Sequence, residues 1–184
     1  MRKPLFLLAL LLSLITNIQA QYAENPLKER QWLNFSNGIN TADHFSWQSA
    51  LTYSKRSDVL MTSIRMGYSQ ELFESAKDSV TDMKNKIFEA GMMWGEGFGG
   101  EHWYVSATAG MGLNLRIYGD DDEDTKLTRS ITGLTIGVPV QLEAGILFND
   151  RWGMNSTILA NWNFRQPYVG LHVGMVYRFK KKKS

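Results

Sequence analysis

Two stretches carry residues at spacings that binding chemistry uses. Gly95-Glu96-Gly97-Phe98-Gly99-Gly100 fits G-x-G-x-x-G, whose backbone N–H groups cradle a pyrophosphate when the glycines open a helix. The residues that follow, from Trp103, alternate like a strand, so the stretch reads instead as a flexible hairpin turn. Asp120, Asp121, Asp122, Glu123 and Asp124 begin like a calcium loop. Thr125 stands where that loop needs glycine and Ile131 where it needs a bidentate glutamate, so a solvated acidic loop is expected and no metal site. Asn34-Phe35-Ser36 and Asn155-Ser156-Thr157 match glycosylation acceptors, yet both fall inside stretches that alternate like strands.

A third group has no motif but a telling context. Gln48, Arg65, Glu89, Glu143 and His172 are each embedded in apolar surroundings. Residues 167–179, P-Y-V-G-L-H-V-G-M-V-Y-R-F, show why. Val169, Leu171, Val173, Met175, Tyr177 and Phe179 share one parity, and Gly170, His172, Gly174 and Arg178 share the other, which is the period of a β-strand. One face is wholly apolar. If the division recurs along the chain, the charged face cannot be the core of a soluble sandwich; it lines a lumen while the apolar face meets lipid.

The division does recur. Strands are expected at about 32–40, 44–53, 59–68, 87–94, 103–118, 132–148 and 152–164, before the last at 167–179. The fifth is the clearest, with Trp103, Val105, Ala107, Ala109, Met111, Leu113, Leu115 and Ile117 opposite Ser106, Thr108, Gly110, Gly112, Asn114 and Arg116. Lys55-Arg56-Ser57-Asp58 and Asn149-Asp150 read as tight turns. Residues 70–85 form a longer polar connection with room for one or two helical turns. Connections after strands two, four and six are short and those after three and five are long, as when hairpins alternate between periplasmic turns and extracellular loops. Outward aromatics gather near the short turns: Tyr53, Trp94, Trp103, Phe148, Trp152 and Phe179 form one expected interfacial girdle, with Phe45, Tyr68, Phe88 and Phe164 towards the other.

Counted from that girdle, Gln48, Arg65, Glu89, Glu143 and His172 fall at one depth. Arg65 and Glu89, on neighbouring strands, should pair, with Glu143, Gln48 and His172 completing the hydrogen bonds that buried charge requires. The interior of an eight-strand barrel is only wide enough for side chains, so a polar plug is expected.

The ends and the composition set the address. Arg2 and Lys3 precede an apolar run from Leu5 to Ile15, and Ala20 supplies a small residue, the layout of a secretory signal peptide over residues 1–20. The run is shorter than the roughly 20 residues of a transmembrane helix. Residues 21–30 read as a periplasmic lead-in, 31–179 as the barrel and 180–184 as a basic periplasmic tail. Without Arg2 and Lys3 the chain carries 18 basic and 18 acidic residues, so charge gives no argument for nucleic acid. There is no cysteine, so an exported domain must be held by its core or by a membrane.

Taken together, the eight alternating strands and the terminal strand ending in an outward Phe179 resemble the small eight-stranded outer-membrane β-barrels of the OmpA/OmpX-like class. The resemblance implies an all-β, antiparallel, up-and-down transmembrane barrel in the cell outer membrane. Its partners would be outer-membrane lipids and lipopolysaccharide and, during biogenesis, periplasmic chaperones and the β-barrel assembly machinery, which would read the terminal aromatic strand. It implies a monomer without cofactor or catalytic residues and with a structural or surface-loop role. A soluble lipocalin-like barrel is the alternative fold, but it buries Arg65, Glu89 and Glu143 in apolar walls or exposes tryptophans to water. Rival functions are a narrow solute pore, an accessory subunit of a transport system and a lipid-A-modifying enzyme. The last needs a nucleophile, base and orienting acid together, and none of His44, beside Ser46, His102 or His172 has such spacing.

Overall fold

The computed structural model describes residues 30–41, 45–57, 60–72, 85–122, 127–164 and 167–179. Every element in them is a strand: β1 (Arg30–Asn40), β2 (Ser46–Ser57), β3 (Leu60–Glu71), β4 (Lys86–Gly99), β5 (Trp103–Asp122), β6 (Leu127–Leu147), β7 (Trp152–Asn163) and β8 (Tyr168–Arg178). They pair antiparallel in chain order, and β8 closes on β1 to complete a barrel. Following directly paired residues once around, from Glu89 through Gly67, Ala50, Ser36, Gly174, Asn155, Gly145 and Tyr104, returns to β4 at Gly99. The ladder therefore climbs ten residues per turn, the shear that tilts the strands of a closed barrel.

Alternation divides the two faces as the pattern demands. The outer wall exposes Phe35, Leu51, Ile64, Met66, Leu113, Ile136, Leu142, Ile158, Leu171 and Met175, with their neighbours of like parity. The buried side chains are mostly polar, including Asn34, Gln48, Arg65, Glu89, Asn114, Gln141, Glu143, Asn161 and His172. An inside-out distribution of this kind is stable only where the outside is lipid, since the wall leaves large apolar area unpaired with protein. With 11 residues in the shortest strands, each is long enough to cross a hydrocarbon core, which takes about 9–11.

Three expected turns move. Lys55, Arg56 and Ser57 are not a turn but the end of β2, paired with Thr62, Met61 and Leu60; Arg56 keeps the inward parity and is buried, so alternation outweighs the local polarity of the segment. Gly95–Gly99 likewise belongs to β4, paired with Thr108 back to Tyr104. The glycines there reflect close approach: a Cβ on Gly99 would lie 2.3 Å from the Trp103 carbonyl oxygen and 2.6 Å from Tyr104 Cα. Asp120, Asp121 and Asp122 extend β5, paired with Arg129, Thr128 and Leu127 of β6. Among the described residues, 118–122 of β5 and 127–136 of β6 have no second neighbouring strand, so this hairpin continues beyond its neighbours as a two-stranded ribbon. Arg30 already belongs to β1, so the expected lead-in ends one residue early. Most of the 70–85 connection, Glu123, Asp124, His44, the signal segment and the basic tail lie outside the described residues.

Candidate functional site: the filled lumen

The inward side chains stack in tiers. At the upper end, on the side of the β5–β6 hairpin, Glu89 accepts hydrogen bonds from the Tyr168 hydroxyl and, at 3.4 Å, from Asn161 Nδ2. Asn161 Nδ2 also donates to Asn114 Oδ1 at 3.1 Å. Gln48 joins the same tier, donating to Tyr168 Oη at 3.4 Å and accepting from Asn40 Nδ2 at 3.2 Å, while Asn40 also donates to Ser69 at 3.0 Å. Seven of the eight strands, including both sides of the barrel seam, are thereby tied by neutral donors and acceptors around a single carboxylate.

Arg65 holds the middle. Its Nε lies 3.3 Å from Glu89 Oε1, with both side chains essentially inaccessible, and its Nη1 donates downward to Gln141 Oε1 at 3.4 Å. Gln141 Nε2 passes the chain on to Glu143 Oε2 at 2.7 Å. The arginine thus faces one carboxylate directly and reaches the other through an amide. Such an arrangement orients the desolvated guanidinium between two anionic groups, the condition for keeping a charge out of water.

Glu143 centres the lower tier. Tyr104 Oη and Asn155 Nδ2 both donate to its Oε1, the latter at 2.7 Å, and Asn34 Nδ2 adds a 3.4 Å contact. The Tyr104 ring lies over Gly145, where a Cβ would come within 2.3 Å of its Cε1; only glycine leaves room for it. Below, the character changes. Trp32, Met61, Tyr104, Leu147 and Val176 form a buried apolar cluster at the end of the barrel that holds the β4–β5 and β6–β7 turns, with the Trp32 and Tyr104 rings 5.1 Å apart.

The five residues expected at one depth therefore occupy three tiers. Gln48 and Glu89 are in the upper, Arg65 in the middle and Glu143 in the lower. His172 is wholly buried near the middle, but neither ring nitrogen has a hydrogen-bond partner among the described residues; it does not complete the network. The reason lies in the reference points of the count. Tyr53 and Trp94 sit four and five residues inside the ends of β2 and β4, whereas Trp103 and Trp152 begin their strands and Phe148 and Phe179 fall just beyond theirs. All six point outward, Tyr53 less exposed than the rest. The Phe179 ring packs 6.5 Å from Tyr53 and 5.3 Å from Tyr177, which stacks edge-on with Trp152 at 4.9 Å, so an aromatic strip spans the seam.

The inward parity of Tyr104 and Tyr168 was visible in the alternation; their donation to the two glutamates was not, because it depends on which strands face each other across the lumen. Among the described residues no group of acidic, histidine or cysteine side chains is placed to hold a metal ion, and His102 lies exposed at a turn, far in the ladder from His172.

No protein-family model matches the chain, and no curated sequence matches it significantly. Solved structures do. Neisserial surface protein A superposes with a TM-score of 0.62 at 9% identity, over 82% of this chain and 97% of that one. The attachment invasion locus protein Ail of Yersinia pestis gives 0.57 at 10% identity over 83% and 100%, and the N-terminal β-barrel domain of Pseudomonas aeruginosa OprF gives 0.53 at 7% over 83% and 100%. This chain has the fold of the small outer-membrane β-barrels. It is a closed, eight-stranded, antiparallel barrel with the architecture of the OmpA/OmpX-like class. At these identities the likeness is one of architecture, and the lumen described above is this chain's own.

Proposed function

We propose that the protein is an integral outer-membrane barrel that conducts nothing at rest and acts through its wall and its projecting hairpin, not as an enzyme. The observation that carries this reading is the occupied lumen: tiers around Glu89, Arg65 and Glu143 lie above a base of packed apolar side chains that seals the barrel, and narrow barrels are filled by their own side chains. The exported address rests on the signal-like segment at residues 1–20 and on structural neighbours that include the outer-membrane proteins of Yersinia pestis and Thermus thermophilus. Lipids and lipopolysaccharide contact the outer wall, and chaperones and the assembly machinery act during biogenesis. The protein works as a monomer.

The ribbon of β5 and β6 is the element most suited to meet an external partner, since its outer edges pair with no strand among the described residues. Purified protein in a planar bilayer tests the sealed state, with no stepwise current expected. Steady conductance by the wild type would replace this reading with that of a narrow pore. Mass spectrometry of lipid A from a deletion strain tests the enzymatic alternative, and an unchanged acylation pattern is expected.

A further inference from the structure

The lumen is not uniformly satisfied. Between the middle tier and the apolar base, Ser36 Oγ, Thr52 Oγ1, Asn34 Oδ1, Asn155 Oδ1, Arg65 Nη2 and both nitrogens of His172 are buried without a hydrogen-bond partner among the described residues. Glu143 explains part of this, because the carboxylate can only accept, so Asn34 and Asn155 turn their Nδ2 atoms to it and their oxygens away. Buried polar groups in such numbers are the groups that ordered water satisfies in folded proteins. The centre of the lumen is thus built to hold water, and the most apolar segment is the base formed by Trp32, Met61, Tyr104, Leu147 and Val176, where only Trp32 Nε1 is left unpartnered among the described residues.

What lies beneath that base is a strap. The Gly100-Glu101-His102 turn between β4 and β5 is held from the opposite wall: Arg30 Nη1 of β1 donates to the Gly100 carbonyl at 2.7 Å, and Arg178 Nη1 of β8 donates to the Glu101 carbonyl at 3.2 Å. Arg178 Nε also reaches the Asp150 carbonyl of the β6–β7 turn at 2.9 Å. Arg30 and Arg178 come from paired strands on either side of Trp32, whose direct partner is Arg178. Two guanidiniums therefore draw successive carbonyls of one turn across the periplasmic mouth, directly below the apolar base. The segment leading into the turn contains Gly95, Gly97, Gly99 and Gly100, the residue type that gives backbone least resistance to rearrangement.

We propose that this turn is a periplasmic gate, latched by Arg30 and Arg178, and that its release opens a hydrated lumen to water and small ions. The proposal rests on the sealed resting state and adds where the seal is and how it opens. The polar tiers above are the passage, and the apolar base with its strap is the barrier.

The test is single-channel recording of the full barrel in planar bilayers, with Arg30→Gln, Arg178→Gln and the double variant beside wild type. Wild type is silent. Each single variant opens with a probability raised about tenfold or more, the population shift that losing one charge-assisted hydrogen bond carries, and the double variant opens most often. Arg151→Gln, which removes an exposed cation from the same rim, leaves the barrel silent. Because the chain has no cysteine, Ser36→Cys gives a second readout: a small water-soluble thiol reagent labels it slowly in the latched barrel and about tenfold faster in the double variant, for the same reason. Heat-modifiable migration in gels verifies that each variant is a folded barrel. Silence and unchanged labelling in a folded double variant overturn the gate and leave the sealed barrel standing. Steady current through wild type instead overturns the sealed state itself.

Discussion

Arg65 Nε and Glu89 Oε1 lie 3.3 Å apart on neighbouring strands, diagonal in the ladder because Arg65 pairs with Gly91 and Glu89 with Gly67. Both side chains are inaccessible to solvent, so the pair is the buried kind in which each charge depends on the other.

Removing either partner strands a charge. Arg65→Ala and Glu89→Ala should each destabilise the barrel by about 3–5 kcal/mol, whereas a solvated pair costs under about 1. The double variant should lose less than the sum of the two. Urea unfolding in detergent measures all three, and small additive losses would mean the pair is wetted.

Tyr104 and Gly145 should behave as one unit. Gly145→Ala places a methyl where the Tyr104 ring sits, 2.3 Å from Cε1, and so pushes the phenol off Glu143. A loss of about 1–3 kcal/mol is expected from the acceptor left short of a donor. Tyr104→Phe removes the same hydrogen bond, so adding Gly145→Ala to it should cost distinctly less than Gly145→Ala alone; equal costs in the two backgrounds would uncouple ring and glycine.

Assembly provides a third expectation. Phe179 follows β8 and packs on Tyr177 and Tyr53 over the seam, so Phe179→Ala should lower the amount of barrel inserted in the membrane more than removal of residues 181–184. Fractionation and heat-modifiability report insertion, and indistinguishable losses would place the signal elsewhere.

Orientation is tested with tags. An epitope inserted after Asp124, in the sequence between β5 and β6, should bind antibody on intact cells, and one inserted after Asp150 should bind only after the envelope is opened. The reverse pattern would invert the barrel.

Much of this was legible in the chain because membrane alternation is strict. Val105 to Ile117 and Val169 to Phe179 declare their faces residue by residue, and the number and order of strands follow. Turn positions were harder. Arg56 and Asp120 are polar enough to suggest loops, yet both continue strands paired with a neighbour, and the inward, buried placement of Arg56 accommodates a charge that composition alone assigns to solvent. The proximity of Arg65 to Glu89 was readable because their strands adjoin. The pairing of Tyr168 with Glu89, and the separate tier around Glu143, were not, because they join residues 79 and 39 apart in sequence across the lumen, and that juxtaposition is set by the ten-residue climb of the ladder.

The seam between β1 and β8 runs from Trp32 opposite Arg178 to Asn40 opposite Gly170, joining the first described strand to the last. No shorter product of translation can close this barrel, because until β8 has been made β1 keeps a row of unpaired backbone groups that hydrocarbon does not tolerate. Membrane insertion of this chain as a closed barrel therefore waits for β8, and every premature termination before Tyr168 yields an open sheet in place of a shortened barrel.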